Sequence, residues 1–160
     1  MNFHSTFIQD FSIIRPKIGQ PLKYDLKKII REHYAELNRA YKSKELNGDR
    51  LNLHDDAKMV GISDYFDGKK AIVEVLGKCI QLMTEVEIQH QYFDHNSCCT
   101  IMTTSSIIPE IKIKSTDRMV VSDGCITEMY VYYDTKAWEL LMQRLQTLSS
   151  TASYFQKDVT

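Results

Sequence analysis

Charge of either sign is nearly balanced in this chain, with 20 basic residues against 21 acidic ones and a formal net charge of -1. A nucleic-acid-binding domain shows a basic excess or a Lys/Arg stripe interleaved with aromatics. The densest basic places here, Lys27-Lys28 and Lys112 with Lys114, are short and interrupted, and read as solvated faces. No stretch approaches the ~20 apolar residues that cross a bilayer. Met1 to Pro21 has neither a basic n-region nor a continuous apolar h-region, so neither a membrane span nor a cleaved signal is expected. Cys79, Cys98, Cys99 and Cys125 lack C-x-x-C spacing, and the adjacent pair points to opposite faces of a strand, which argues against zinc clusters and thioredoxin-like redox chemistry. With no disulfide framework, a reducing cytoplasm is the expected location. A Walker loop, a Rossmann glycine run and His-Glu-x-x-His are absent, and Gly61-Ile62-Ser63-Asp64-Tyr65 lacks the second glycine of a nucleophile elbow. His54, Asp55 and Asp56 are chemically possible metal ligands, but three consecutive residues cannot all face one ion. No metal and no cofactor are therefore expected.

What is present is an ordinary globular composition, 43% hydrophobic and 26% charged over 160 residues, enough for one domain with its own core. Phe3, Phe7, Phe11 and Ile14 suit a short amphipathic helix in an N-terminal extension, residues 1–21. From Asp25 the stripe Leu26, Ile30, Tyr34, Leu37, Tyr41 predicts a helix reaching about Leu46, which Asn47-Gly48-Asp49 breaks. A short helix or turn over Arg50 to His54 and a strand from Ala57 to Ile62 follow. Gly68 to Met83 again carries apolar residues at helical spacing. After Thr84 the period becomes two: Val86, Ile88, His90 and Tyr92 alternate with Glu87, Gln89, Gln91 and Phe93, and the polar turn Asp94 to Ser97 leads into Cys98 to Ile107. A second hairpin joins Ile111–Val121 to Cys125–Asp134 through Asp123-Gly124, a strong tight-turn signal. Ala137, Leu140, Leu141, Leu145 and Leu148 mark a last helix, after which residues 149–160 read as a loose tail. Helices first and consecutive strands after imply an α+β fold, with the main domain at residues 22–148.

Three stretches resemble the SnoaL-like branch of the nuclear transport factor two-like superfamily. They are Leu53-His54-Asp55-Asp56-Ala57 leading into the first strand, Asp67-Gly68-Lys69-Lys70-Ala71-Ile72 at the second helix start, and the closing hairpin from Met119 to Asp134. The hairpin carries the most weight, with an apolar strand, an Asp-Gly turn, Ile126-x-Glu128 and the terminal Tyr132-Tyr133-Asp134. The resemblance implies a cone, a strongly curved mixed or antiparallel sheet packed against N-terminal helices, here with an extra C-terminal helix. Its members include polyketide cyclases, ketosteroid isomerases, dehydratases and non-catalytic binders or scaffolds, so the fold alone does not choose a function.

Tyr34 matches the tyrosine of the isomerase branch that donates to the substrate oxygen, and Asp117 the carboxylic acid that shares the task. An aspartate kept neutral in an apolar pocket donates a hydrogen bond to a developing enolate. As structural residues they would be a core tyrosine and a strand aspartate held by a nearby cation or backbone group. The branch places a base where this chain has Gly61, so a steroid-type proton shuttle is in doubt; His90, on the apolar parity of its strand, is the third candidate. Met119, Met129, Val131, Tyr133 and Asp134 are the expected pocket lining, with Asp134 alternatively capping the last helix beside Thr135. Tyr130 and Tyr132 share the other strand face, which the resemblance would bury in a homodimer. The expected ligand is a small apolar or carbonyl-bearing molecule, with no nucleic-acid or membrane partner. The competing expectation is a non-catalytic interaction module.

Overall fold

A computed structural model describes residues 23–157, with side chains through residue 149. The Phe3, Phe7, Phe11 stripe lies outside them. Helix α1 spans Leu26–Ser43, started by the Asp25 carboxylate accepting from Lys28 N at 3.0 Å and ended by Lys44 in the left-handed region at φ 60°. A 3₁₀ turn, Gly48–Leu51, leads into strand β1 (Leu53–Val60), and β2 (Tyr65–Asp67) folds back on it. Helix α2 (Lys69–Leu82) precedes β3 (Met83–Asp94), β4 (Ser97–Ser106), β5 (Lys112–Ser122) and β6 (Cys125–Tyr133). Helix α3 runs from Thr135 to Lys157, well past Leu148, where the sequence reading placed its end. No described helix is long and apolar enough to cross a membrane.

The six strands form one sheet in the order β2-β1-β6-β5-β4-β3, antiparallel except for the β1–β6 pair. The sheet is not closed, and the fold is the α+β cone that the resemblance implies. The β5–β6 turn forms as expected, with Asp123 and Gly124 both at positive φ (50° and 83°), the conformation that matches the twist of a tight hairpin. Helices α1 and α2 cover the concave face. Its core gathers Ile30, Tyr34 and Leu37 from α1, Ile72 from α2, and Cys98, Met102, Met119, Val121, Ile126 and Met129 from the sheet. A second cluster, built on Met83, Ile111, Ile113 and Leu141, packs α3 against the far end, and Tyr41 touches both clusters.

Among the register shifts in the sheet, two decide which side chains of β6 and of the second half of β3 face inward. In β6 the register steps from Val120↔Glu128 to Val121↔Ile126, so Thr127 is extra and Ile126 and Met129 both point into the core despite opposite parity. In β3 the register steps from Ile88↔Met102 to His90↔Ile101, leaving Gln89 extra. Beyond it the parity reverses, because an extra residue turns every later side chain to the other face.

Candidate functional site

Asp117 sits at the centre of β5, opposite Thr100 of β4 and Val131 of β6. Its inward neighbours on the same strand are Met119 and Val121, so the carboxyl projects into the cone, where it is 5% exposed. Tyr34 reaches the same place from α1. Its hydroxyl donates to Asp117 Oδ2 at 3.3 Å, and its ring meets His33 edge-on at 5.5 Å between centroids. The two residues singled out in the sequence, 83 positions apart, are therefore in contact.

The electrostatics follow from burial. Asp117 Oδ1 is buried without a hydrogen-bond partner. Desolvation pushes the carboxyl up to about 7, against the weaker opposing effect of the Tyr34 hydrogen bond. Desolvation and then the Asp117 charge push Tyr34 well above the ordinary phenol range, while the polar side chain of Thr100 acts the other way. Tyr41, one heptad on along α1, is also raised, first by burial and then by Asp117. Thr100 accepts from Gln91 Nε2 at 3.2 Å and lies 3.6 Å from Cys98 Sγ.

The remaining sequence candidates are placed as follows. Met119 and Met129 are 1% and 2% exposed, face each other across β5 and β6, and belong with Val131 to the packed core cluster on the face that Asp117 takes. Tyr133 packs edge-on against Trp138 of α3 at 5.9 Å, in the second cluster. Asp134 is exposed, and its Oδ1 accepts from Lys136 N and Ala137 N at 3.1 and 3.2 Å, the capping role. His90 corrects the sequence reading. The Gln89 bulge turns it to the convex face beside Tyr92, where it is exposed, and Gln91 takes the inward position instead. Gly61 follows the end of β1, its N–H donating to Asp64 O at 2.8 Å, and Asp64 is exposed.

Sequence reasoning missed three inward polar residues. His33 is 0% exposed, its Nδ1–H donates to Leu51 O at 2.8 Å, and its Nε2 has no partner. Desolvation lowers it to about 4. Its spacing from Ile30 and Leu37 puts it on the apolar stripe of α1, so helical periodicity would have found it. Thr100 and Gln91 carried no such signal, because their direction depends on strand register and on the bulge. Among the described residues no group of three His, Cys, Asp or Glu side chains is arranged to hold a metal. The surface also has an open groove of about 480 Å³ between α1 and the 3₁₀ turn, lined by Arg39, Glu45, Leu46, Asn47, Gly48 and Arg50, away from the Tyr34–Asp117 pair.

No family model matches the sequence, and no curated protein does. Solved structures do match. A nuclear transport factor two-like protein of unknown function from Cytophaga hutchinsonii superposes with a TM-score of 0.57 at 16% identity, covering 73% of this chain and 96% of that one. A steroid delta-isomerase from Pseudomonas aeruginosa gives 0.60 at 18% identity over 82% and 99%. A de novo designed protein with a curved β-sheet gives 0.60 at 15% identity over 77% and 95%. The chain has the nuclear transport factor two-like fold.

Proposed function

We propose that this protein binds a small, largely apolar, carbonyl-bearing molecule inside the cone, with Tyr34 and Asp117 receiving the carbonyl oxygen. The observation that carries the reading is the buried pair, a phenol 3.3 Å from a carboxyl whose second oxygen has no partner. A carboxyl pushed up to about 7 is largely protonated just below neutral pH, and a neutral acid in an apolar enclosure is a hydrogen-bond donor. A ligand oxygen accepting from Asp117 would satisfy a group that is otherwise costly to bury. Met102, Met119 and Met129 surround the pair, and flexible thioether side chains repack around a guest more readily than branched ones do.

As an enzyme, such a site would serve a cofactor-independent isomerase, cyclase or dehydratase by stabilising an oxyanion. The proton-moving group is the weak link. The isomerase-type base position holds Gly61, and His90 lies on the other face. Binding therefore ranks ahead of catalysis. NMR titration of the labelled chain with a panel of mono- and polycyclic ketones tests the reading. A binding ketone is expected to perturb Tyr34, Thr100 and Asp117 resonances and to bind about tenfold more weakly to Tyr34→Phe, the worth of one hydrogen bond. Ketones that leave those resonances unmoved, or bind the variant equally, sink the reading.

A second reading, a protein-interaction module or homodimer, is favoured by the convex face. There Tyr92 and Tyr132 are 60% and 55% exposed, and the Arg118 guanidinium stacks 5.5 Å from the Tyr130 ring.

A further inference from the structure

The cover over the concave face thins at β3, an edge of the sheet. The inward residues of β3 stand opposite buried residues of β4: Ile88 opposite Met102, Gln91 opposite Thr100 and Phe93 opposite Cys98. Yet Ile88 and Phe93 are 38% and 36% exposed, and Gln91 is half-buried. Two contacts fix how α1 lies beside this edge. The Asn38 side chain brackets the Val86 backbone, donating to Val86 O at 3.4 Å and accepting from Val86 N at 3.1 Å, and the Lys27 ammonium stands 5.6 Å from the centre of the Phe93 ring. Helix and strand therefore run side by side in opposite directions. Lys27, Arg31, Tyr34 and Asn38 follow one another along a single stripe of the helix, so Arg31 and Tyr34 come level with the part of β3 that holds Ile88 and Gln91.

Tyr34 is the buried member of this stripe and leads to Asp117. Lys27 and Arg31 are exposed, and neither is in an ion pair among the described residues. The nearby carboxylates are turned elsewhere: Glu87 and Asp94 have the convex parity of β3, Asp25 caps α1, and Glu32 accepts from Asn52. A lip of two cations, two exposed apolar side chains and one amide thus borders a buried carboxyl whose Oδ1 has no partner.

We propose that the gap between α1 and β3 is the entrance to the interior site and that Lys27 and Arg31 hold the anionic end of its ligand, which makes that ligand a keto acid, an apolar body with a carbonyl at one end and a carboxylate at the other. The proposal rests on the reading of the Tyr34–Asp117 pair as the carbonyl site, and narrows its ligand class. Helix geometry sets the length. Lys27 and Tyr34 are about two helical turns apart, ~10 Å along α1, so a medium-length chain must separate carboxylate from carbonyl, and an α-keto acid is too short. Ile88 and Phe93 supply the apolar wall between the two ends. The cationic heads stay in water while they do this, so their contribution is modest and screened by salt.

NMR titration of the full chain in low salt with 9-oxodecanoic acid, its methyl ester and 4-oxopentanoic acid tests the proposal. The long acid is expected to move Arg31 together with Tyr34, Thr100 and Asp117, and to bind roughly fivefold more tightly than its ester, a preference that shrinks at high salt. The short acid, unable to reach both ends, should bind more weakly than the long one. Lys27→Met and Arg31→Met, both at exposed positions, should each erase most of the acid's advantage over the ester. Lys28→Met, on the neighbouring position that faces Glu32, should leave that advantage intact. Equal binding of acid and ester, with both moving the interior resonances, overturns the keto acid and leaves the pocket reading standing. An acid that moves Lys27 and Arg31 alone binds the surface only and overturns it too. Interior resonances unmoved by these compounds and by neutral cyclic ketones alike remove the pocket reading, and the proposal with it.

Discussion

His33 and Asp117 are both buried on either side of Tyr34, the imidazole T-shaped against its ring and the carboxyl on its hydroxyl, and burial moves their protonation in opposite senses. His33 keeps its proton on Nδ1, because its partner, the Leu51 carbonyl, only accepts; the unpartnered Nε2 is a buried lone pair. Desolvation favours the neutral form of each group.

This opposition predicts an unusually flat pH dependence. His33 is lowered from 6.5 to about 4, so the stability it contributes is complete above the unfolded value and is lost as pH falls from 6.5 toward 4. Asp117 is raised from 3.8 to about 7, so its contribution is complete below 3.8 and is lost as pH rises toward 7. Between about 4 and 6.5 the two slopes cancel, each group acting with a magnitude on the order of 3 kcal/mol. Relative to wild type, His33→Gln should lose stability as pH rises through this window, and Asp117→Asn should gain it. Urea unfolding at several pH values checks both signs, and parallel curves for the three chains would contradict them.

Asp134 separates a cap from a pocket group. Its Oδ1 accepts two backbone N–H groups at the start of α3, and Asp134→Ala should cost about 1 kcal/mol while leaving any ketone affinity unchanged. Thermal melts beside a ligand titration decide it. A full-stability variant with weakened binding would return Asp134 to the pocket.

The convex face gives an independent prediction. A dimer that buries Tyr92 and Tyr132 should be broken by Tyr132→Glu with a change in stability of about 0.5 kcal/mol or less, since that side chain is 55% exposed in the single chain. Light scattering coupled to size exclusion measures the mass. A wild-type chain that is already monomeric at micromolar concentration removes the homodimer proposal.

Much of this arrangement was legible in the residue pattern, and what was not has identifiable causes. The helical stripe put Tyr34 inside, and the parity of Asp117 with Met119 put the carboxyl on the same face, because both segments are regular over the residues that matter. Their contact across 83 residues came from the resemblance, since periodicity alone says which face a residue takes and not what it meets there. His90 failed because alternation was extended through a bulge that no local residue announces; Gln89 is extra only in relation to its partner strand. Strand β1 starts at Leu53 rather than Ala57, since His54, Asp55 and Asp56 are exposed and their polarity hid a strand whose buried positions are Leu53, Ala57 and Met59. The short β2, only Tyr65–Asp67, gave too few residues for a period.

For the site itself, Asp117→Asn keeps the shape and removes the titratable proton, while Tyr34→Phe strands Oδ2 beside Oδ1 and should cost about 1–3 kcal/mol of stability. If the chain turns over a substrate by oxyanion stabilisation, each change should lower kcat by roughly a hundredfold, and unchanged turnover in both would end that mechanism.

The measurement that bears most directly on the account is the titration of the Asp117 carboxyl in the wild-type chain by carbon-detected NMR. A midpoint near 7, moving when a ketone binds, is the result expected of a neutral acid enclosed to meet a carbonyl oxygen. A midpoint near 3.8, that of an ordinary aspartate, would mean that the carboxyl is solvated or otherwise paired, and would contradict the account at its centre.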